Sequence, residues 1–179
     1  MSSWMAMEYD FTLKFALAEG DSDAAAIVER LGASGCDDAL VGTGIPGRIA
    51  LSFTREAASA EDAVLSALAD VKRAVPSARL IEAGPDFVGL TEVAGLVGMS
   101  RQNMRKLMLS HAASFPPPVH EGSASIWHLA LVLQWLEDRG GYRVPAATLA
   151  VSRMAMQLNL ARDSGLASAR LRSQVRELV

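Results

Sequence analysis

The first part of the chain alternates apolar and polar residues with a period of two. Apolar side chains occupy every second position from Tyr9 to Leu17. Because successive side chains of a strand point to opposite faces, this period predicts a strand with one buried face. Further strand-like stretches then alternate along the chain with stretches whose apolar residues recur every three or four positions, as in helices. Residues 8–84 are therefore predicted to form a β-α-β-β-α-β unit, the split arrangement of small ferredoxin-like α/β domains.

Three glycines in this unit match the spacing of a dinucleotide-binding loop. Gly42, Gly44 and Gly47 fit the pattern G-x-G-x-x-G, but that loop must open a helix whose first amides hold a pyrophosphate. Here the period of two resumes at Ile49, which predicts a strand, and Pro46 lacks an amide hydrogen. We favour a turn between two strands, and no cofactor is expected.

After a break at Gly84-Pro85-Asp86, the pattern predicts two short helices joined by a sharp turn. Thr91 is predicted to cap the first helix. Gly98 stands where the chain must turn, because glycine adopts positive φ without steric cost. Ser100 is predicted to cap the second helix, whose Met104 faces the first. This spacing is typical of the helix-turn-helix motif.

The second of these helices leaves a polar face toward solvent. Arginine can bond guanine edges, glutamine and asparagine can bond adenine edges, and both lysine and arginine hold phosphates. The alternative is an ordinary solvated face, which explains less well why this one has three cations, two amides and no acid. Its residues are Arg101, Gln102, Asn103, Arg105 and Lys106.

A hairpin and a third helix are predicted to follow. Residues 119–121 and 125–127 flank the small residues 122–124, which predicts a β-hairpin. Apolar residues at helical spacing then run from 129 to 136. Residues 90–143 are therefore predicted to form a winged helix-turn-helix domain. Trp127, His128 and Trp135 of this domain are interpreted as structural side chains.

Residues 90–139 resemble the MerR-like winged helix-turn-helix family, in its small excisionase or AlpA-type version. The resemblance rests on Thr91-Glu92-Val93-Ala94, Gly98-Met99-Ser100-Arg101, Phe115-Pro116-Pro117-Pro118-Val119 and Trp127-His128-Leu129. It implies double-stranded DNA as the partner, with residues 100–106 in the major groove and the hairpin beside them. The implied DNA-binding residues are Ser100, Arg101, Gln102, Asn103, Arg105, Lys106, His120, Ser123 and Ser125.

The predicted hairpin departs from that family at its turn. Such wings often carry arginine or lysine there, whereas residues 121–125 read Glu-Gly-Ser-Ala-Ser. Phosphate contact from this hairpin would depend on hydroxyls, amides or His120, and a solvated His120 is the alternative. A wing that contacts protein stays open as a further alternative.

The last part of the chain predicts a long helix with two apolar stripes. One stripe runs through residues 147–161, and Leu149, Met156 and Leu160 form the other. One helix cannot easily bury both stripes against a small domain, so a partner chain is favoured over a tail that folds back. We therefore predict that the helical tail over residues 145–179 forms a homodimer, which a palindromic DNA site would reward.

Charge divides the chain in the same way as the hydrophobic pattern. The net charge of −3, from 17 Lys+Arg and 20 Asp+Glu, by itself predicts no affinity for nucleic acid. Residues 1–89, however, carry 7 Lys+Arg and 14 Asp+Glu, whereas residues 90–179 carry 10 and 6. An acidic domain is thus joined to a basic one, which is compatible with DNA binding by the second.

Composition also excludes several classes of protein. Cys36 is the single cysteine and lies far from the three histidines in sequence, so neither a disulfide nor a metal site is predicted. No apolar run reaches the ~18–20 residues of a membrane helix. Residues 1–8 lack the basic and apolar regions of a secretion signal. The expected location is the cytoplasm, with no membrane partner.

Together these patterns predict an α+β, sequence-specific DNA-binding transcriptional regulator of bacterial or phage type, without catalytic activity. The N-terminal domain would bind a small effector or a protein partner. Two alternatives use the same domains. One is an excisionase-like factor that bends DNA; the other is an antitoxin or adaptor that acts through protein contacts.

Overall fold

The computed structural model describes residues 6–176 and 178–179. Within that range the chain is an α+β protein with seven helices and two small antiparallel sheets. Residues 1–5 lie outside the described part. They make up most of the segment, residues 1–8, that was predicted not to be a secretion signal.

The first unit is a four-stranded sheet with two helices packed on one face. Its strands are β1 (Met7–Ala16), β2 (Ala39–Gly42), β3 (Arg48–Ala57) and β4 (Arg79–Gly84), in the order β2-β3-β1-β4 with antiparallel neighbours. Helix α1 (Ala24–Ala33) follows β1, and α2 (Ala60–Ala74) follows β3. The observed order of elements is the predicted β-α-β-β-α-β.

The period of two in β1 decides which sheet face is buried. Leu13 and Phe15 are fully buried and meet Ile27 and Leu31 of α1 in one apolar cluster. The polar residues of the alternate positions lie on the other, open face. The predicted turn after β2 is confirmed: it joins β2 to β3 with Gly47 at a φ of 74°, so the glycine pattern opens no helix.

The second unit joins a small sheet to three helices. Strands β5 (Phe87–Val88), β6 (His120–Glu121) and β7 (Ser125–His128) form a sheet in the order β5-β7-β6. The helices are α3 (Leu90–Leu96), α4 (Arg101–Ser110) and α5 (Leu129–Arg139). The predicted hairpin corresponds to β6 and β7. Strand β5 was not predicted, because two residues are too few to show a period.

The start of α3 differs from the prediction. Thr91 lies inside the helix, and Gly89 occupies the N-cap position. Gly89 has no side chain to accept a hydrogen bond, but its own N–H donates to the carboxylate of Glu92. The glutamate therefore fixes the first turn from within the helix. The turn after α3 is as predicted, with Gly98 at a φ of 71°.

The predicted tail is built into the molecule. Helix α6 (Ala146–Ser164) buries Val151 and Ala155 in the cluster of the first unit and Leu149 in the cluster of the second. Much of the apolar surface that predicted a partner chain is therefore covered by the chain's own cores. The interpretation of residues 145–179 as a separate dimerisation tail is wrong for α6, because two cores rather than one small domain receive it.

Helix α7 (Ala169–Val175) follows α6 and buries no residue. Leu166 before it is 86% exposed and Leu171 within it is 51% exposed. No helix in the described part of the chain is both long and apolar enough to cross a bilayer.

Candidate nucleic-acid interface

Helix α4 is held against α3 by one completely buried side chain. Met104 has no exposed surface and packs in a cluster with Val93 and Ala94 of α3. The hydroxyl of Ser100 accepts a hydrogen bond from the N–H of Asn103 at 3.1 Å, so Ser100 caps α4 as predicted. Since 3.6 residues make one turn, burial of Met104 turns the polar positions of α4 toward solvent.

All five predicted residues of that face are exposed. Among residues 6–176 and 178–179, none of the three cations of α4 forms an ion pair. The sequence of the helix contains no acidic residue. Its guanidinium and ammonium groups are thus available to an external ligand. We call these five residues the α4 face: Arg101, Gln102, Asn103, Arg105 and Lys106.

A groove of about 810 Å³ separates α4 from the β6–β7 hairpin. Arg101 and Arg105 line one wall, and Ser123 and Ser125 of the hairpin line the other. The structure thus brings together side chains about 20 residues apart in sequence. Glu121 also lines this groove and opposes the approach of phosphate there.

The remaining predicted residues lie around this groove rather than in it. Gln102 and Lys106 line a second, shallower concavity of about 400 Å³ together with Arg105. His120 is exposed on β6 and its ring lies against the hairpin turn, since a Cβ added at Gly122 would fall 2.6 Å from Nε2 of His120. Ser100 and Asn103 are joined in the cap.

The aromatic residues that line the groove, Phe115 and Trp127, are anchored by contacts within the second unit. The indole N–H of Trp127 donates to the carbonyl of Pro116 at 3.1 Å. The Phe115 ring meets the Trp127 and Trp135 rings edge-on, at 6.5 and 5.1 Å between centroids. Such contacts are worth about 0.5–1.5 kcal/mol beyond the apolar burial itself. The interpretation of both tryptophans as structural fits these contacts.

The first unit contains a polar cluster that the sequence interpretation missed. Arg55 of β3 is 9% exposed and donates to both carboxylate oxygens of Asp38, at 2.6 and 2.9 Å. It also donates to Asp70, to Ser66 and to the carbonyl of Gly35. These five bonds use all five N–H groups of a guanidinium. The hydrogen bond to Asp38 is the main cause that raises the pKa of Arg55 above its ordinary value.

A sequence signal for this cluster exists, because Arg55 continues the buried positions Ile49, Leu51 and Phe53 of its strand. Asp37 is exposed, whereas its neighbour Asp38 is partly buried and belongs to the Arg55 cluster. A charged residue at a buried strand position normally has such a partner.

A second polar cluster joins the two units where a boundary was predicted. Asp86 is 2% exposed and its carboxylate contacts Nδ1 of His128 at 2.6 Å and accepts from the amide of Asn159 at 2.8 Å. Asn159 of α6 also bonds both the N–H and the carbonyl of Ala83 at the edge of β4. The segment after β4 is therefore clamped between β7 and α6.

No group of three potential metal-ligating side chains is present in the described part of the chain. Cys36 is buried beside the Arg55 cluster. Burial, with a contribution from Asp70, raises the pKa of its thiol to about 11, so the group is a neutral core residue at neutral pH.

Comparison with known protein families, curated proteins and solved structures finds no match to this chain.

Proposed function

We propose that this chain binds double-stranded DNA in a sequence-specific manner through α4 and acts as a transcriptional regulator. The observation that carries the proposal is the α4 face, where three cations and two amides are exposed with no acid on the helix and no ion pair within the described residues. Three exposed cations on one helix that contains no acidic residue suit a polyanionic ligand.

The residue types of the α4 face also suit base recognition. An α-helix is about 10–12 Å wide with its side chains and the major groove about 12 Å wide, so α4 fits lengthwise. Arg101 and Arg105 can each bond the O6 and N7 of a guanine, and Gln102 or Asn103 can bond an adenine. Lys106 is suited to a phosphate.

The arrangement of residues 90–139 supports assigning them to a winged helix-turn-helix of the MerR-like, AlpA-type kind. Helices α3 and α4 meet at a glycine turn, the hairpin stands across a groove from α4, and α5 packs behind them. In this assignment Ser123 and Ser125 offer hydroxyls to a phosphate. Glu121 keeps the contact from the hairpin weaker than the contact from α4.

The first unit is proposed to be a ferredoxin-like module that binds an effector or protein partner. The sheet order β2-β3-β1-β4 supports this arrangement. Its open face forms a groove of about 720 Å³, lined by Lys14 and four carboxylates. These carboxylates belong to Asp10, Asp37, Asp38 and Glu82, and they disfavour DNA on this unit.

Dimerisation remains part of the proposal, but the apolar surface available for it is smaller than the sequence predicted. With α6 largely packed on its own chain, the exposed leucines of residues 145–179 that a second copy could cover are Leu160, Leu166, Leu171 and Leu178. Two copies would compensate for the modest positive charge of the second unit, because each half of a palindromic site adds its own base contacts.

Selection of bound sequences from a pool of random duplexes tests the function. We expect enrichment of a two-fold symmetric motif, bound less tightly as salt rises because phosphate contacts release counterions. The matched control is the double variant Arg101→Ala/Arg105→Ala, which should enrich nothing. A wild-type protein that enriches no duplex would contradict the proposal. Enrichment of a single half-motif without its symmetric copy would support DNA binding and contradict the dimer.

One observation favours a second candidate function. Residues 119–128 contain Glu121 and no arginine or lysine, which suits a hairpin that contacts protein. In that case the chain is an adaptor or antitoxin, and the duplex pool yields no motif at any salt concentration.

A further inference from the structure

An apolar side chain projects from the polar side of α4. Leu109 is 59% exposed, although it lies next to the C-terminal end of the helix that Met104 anchors. It follows Gln102, Arg105 and Lys106 by seven, four and three positions, so it continues their stripe on the same side of the helix. Nothing in the packing of the second unit requires a leucine at this position.

Leu109 and Arg105 together form a ridge. Both side chains line the groove beside the hairpin, and both line the shallower concavity on the other side of α4. Arg105 and Leu109 lie one helical turn apart, and because both border the groove and the concavity, they separate the two. If α4 enters the major groove, this ridge is the part that points to the base edges.

The neighbours of Leu109 in this stripe are polar, which disfavours a protein-docking role. Surfaces that bind protein through apolar contact usually form a contiguous patch. The shallower concavity is instead lined by Gln102, Arg105, Lys106 and Ser110 around this one leucine. The groove on the hairpin side also contains apolar residues, among them Met108, Ala112 and Pro117. On the other side of α4, Leu109 is the one apolar residue of a polar concavity, which suits a ligand that is itself polar with isolated apolar groups.

We propose that Leu109 contacts the C5-methyl group of a thymine in the major groove and so specifies one A·T pair. This inference rests on the proposed function, since it needs α4 in that groove. The thymine methyl is the one apolar group that the base-pair edges present there. Arg105 and Leu109 lie about 6 Å apart along the helix axis. The thymine therefore lies within about two base pairs of the base that Arg105 contacts, given a rise of about 3.4 Å per base pair.

Replacing thymine by deoxyuridine removes only this methyl group and tests the contact directly. In the duplex recovered from the random pool, each thymine is replaced in turn and the affinity is measured for the wild type and for Leu109→Ala. We expect the wild type to lose about fourfold at one position, the factor that corresponds to burial of about one methyl group. Leu109→Ala should bind both versions of that duplex equally.

The matched control is Leu65→Ala, which shortens a leucine of α2 that is 42% exposed. This variant should show the same loss as the wild type. A second variant, Leu109→Gln, keeps the length of the side chain without its apolar end and should also ignore the methyl group. Because position 109 is exposed, we expect both variants to unfold at the wild-type temperature.

The outcomes separate the inference from the function beneath it. Enrichment of a motif, with no thymine whose replacement weakens wild-type binding, overturns the role of Leu109 alone. An equal loss in the wild type and in Leu109→Ala also overturns it. Failure to enrich any duplex overturns the proposed function and this inference together.

Discussion

Arg55 in the first unit and Arg105 on α4 carry the same guanidinium group in opposite surroundings. Arg55 is nearly buried, and its five N–H groups are all bonded within the chain. Arg105 is exposed and borders two concavities. The first arginine stabilises a fold, whereas the second has its bonding capacity free for a ligand.

This difference shows why net charge is a poor guide to function in this protein. The acidic first unit does not only repel polyanions; it also uses carboxylates to hold its own buried cation. The basic second unit has a small excess of positive charge, but none of the cations on α4 is neutralised by an ion pair among the described residues. The bonding of each individual cation, rather than the sum of charges, therefore indicates which side chains are free to bind a ligand.

The largest expected effect comes from removing the cation of the first unit. Arg55→Met leaves the partly buried carboxylate of Asp38 without its partner and leaves Asp70 with only the exposed Arg73. Breaking a buried ion pair in this way costs about 3–5 kcal/mol, so we expect a fall of about that size in the free energy of unfolding, measured with urea. The control is Arg73→Ala, because Arg73 also contacts Asp70 but its side chain is 64% exposed.

Arg73→Ala should cost less than about 1 kcal/mol, as exposed ion pairs do. Equal losses from both variants would show that burial does not separate the two arginines. DNA binding by the folded fraction of Arg55→Met should remain unchanged.

The second largest effect is expected from breaking the contacts of Asn159 that join the two units. Asn159→Ala leaves the N–H and carbonyl of Ala83 and one oxygen of Asp86 without their partner. An unsatisfied buried group costs about 1–3 kcal/mol, and we expect a loss of about 2–4 kcal/mol in thermal or urea unfolding. Gln157→Ala, which removes an exposed amide from the same helix, should be nearly neutral. A neutral Asn159→Ala would mean that the clamp does not stabilise the fold.

Loss of a free arginine should affect binding and spare stability. Arg105→Ala should weaken binding to the selected duplex by about 1–3 kcal/mol, the usual value of a bidentate contact to guanine. Its unfolding midpoint should match that of the wild type. Arg48→Ala removes an exposed arginine from the first unit and should leave affinity unchanged. Gel shifts with unaltered affinity for Arg105→Ala would remove this residue from the interface.

The prediction with the smallest effect at neutral pH concerns Cys36 beside the Arg55 cluster. Its pKa is raised from an ordinary value of 9.0 to about 11 in the folded chain. The folded state therefore retains a proton that the unfolded state releases, and stability falls as the pH rises from about 9 to about 11. Urea unfolding across this range should show a steeper fall for the wild type than for Cys36→Ala. Parallel curves would contradict the buried, neutral thiol.

The sequence predicted local structure well wherever one element carries its own signal. The period of two in β1, the cap at Ser100 and the glycine turn at Gly98 depend only on neighbouring residues. The α4 face was predicted for the same reason, since burial of Met104 determines which positions of one helix remain outside. Thr91 was predicted to cap α3 because its residue type suits a cap. In the structure Gly89 is the N-cap residue, and its N–H donates to the carboxylate of Glu92.

What the sequence by itself determined is therefore the succession of elements and the polar side of each. Tertiary structure alone decided how those elements use their polar groups. Asn159 meets Ala83 across 76 positions, and Arg55 meets Asp38 across 17. It also decided that α6 packs on two cores of its own chain. Such contacts depend on which distant segments the fold brings together, and no period or local spacing records that choice.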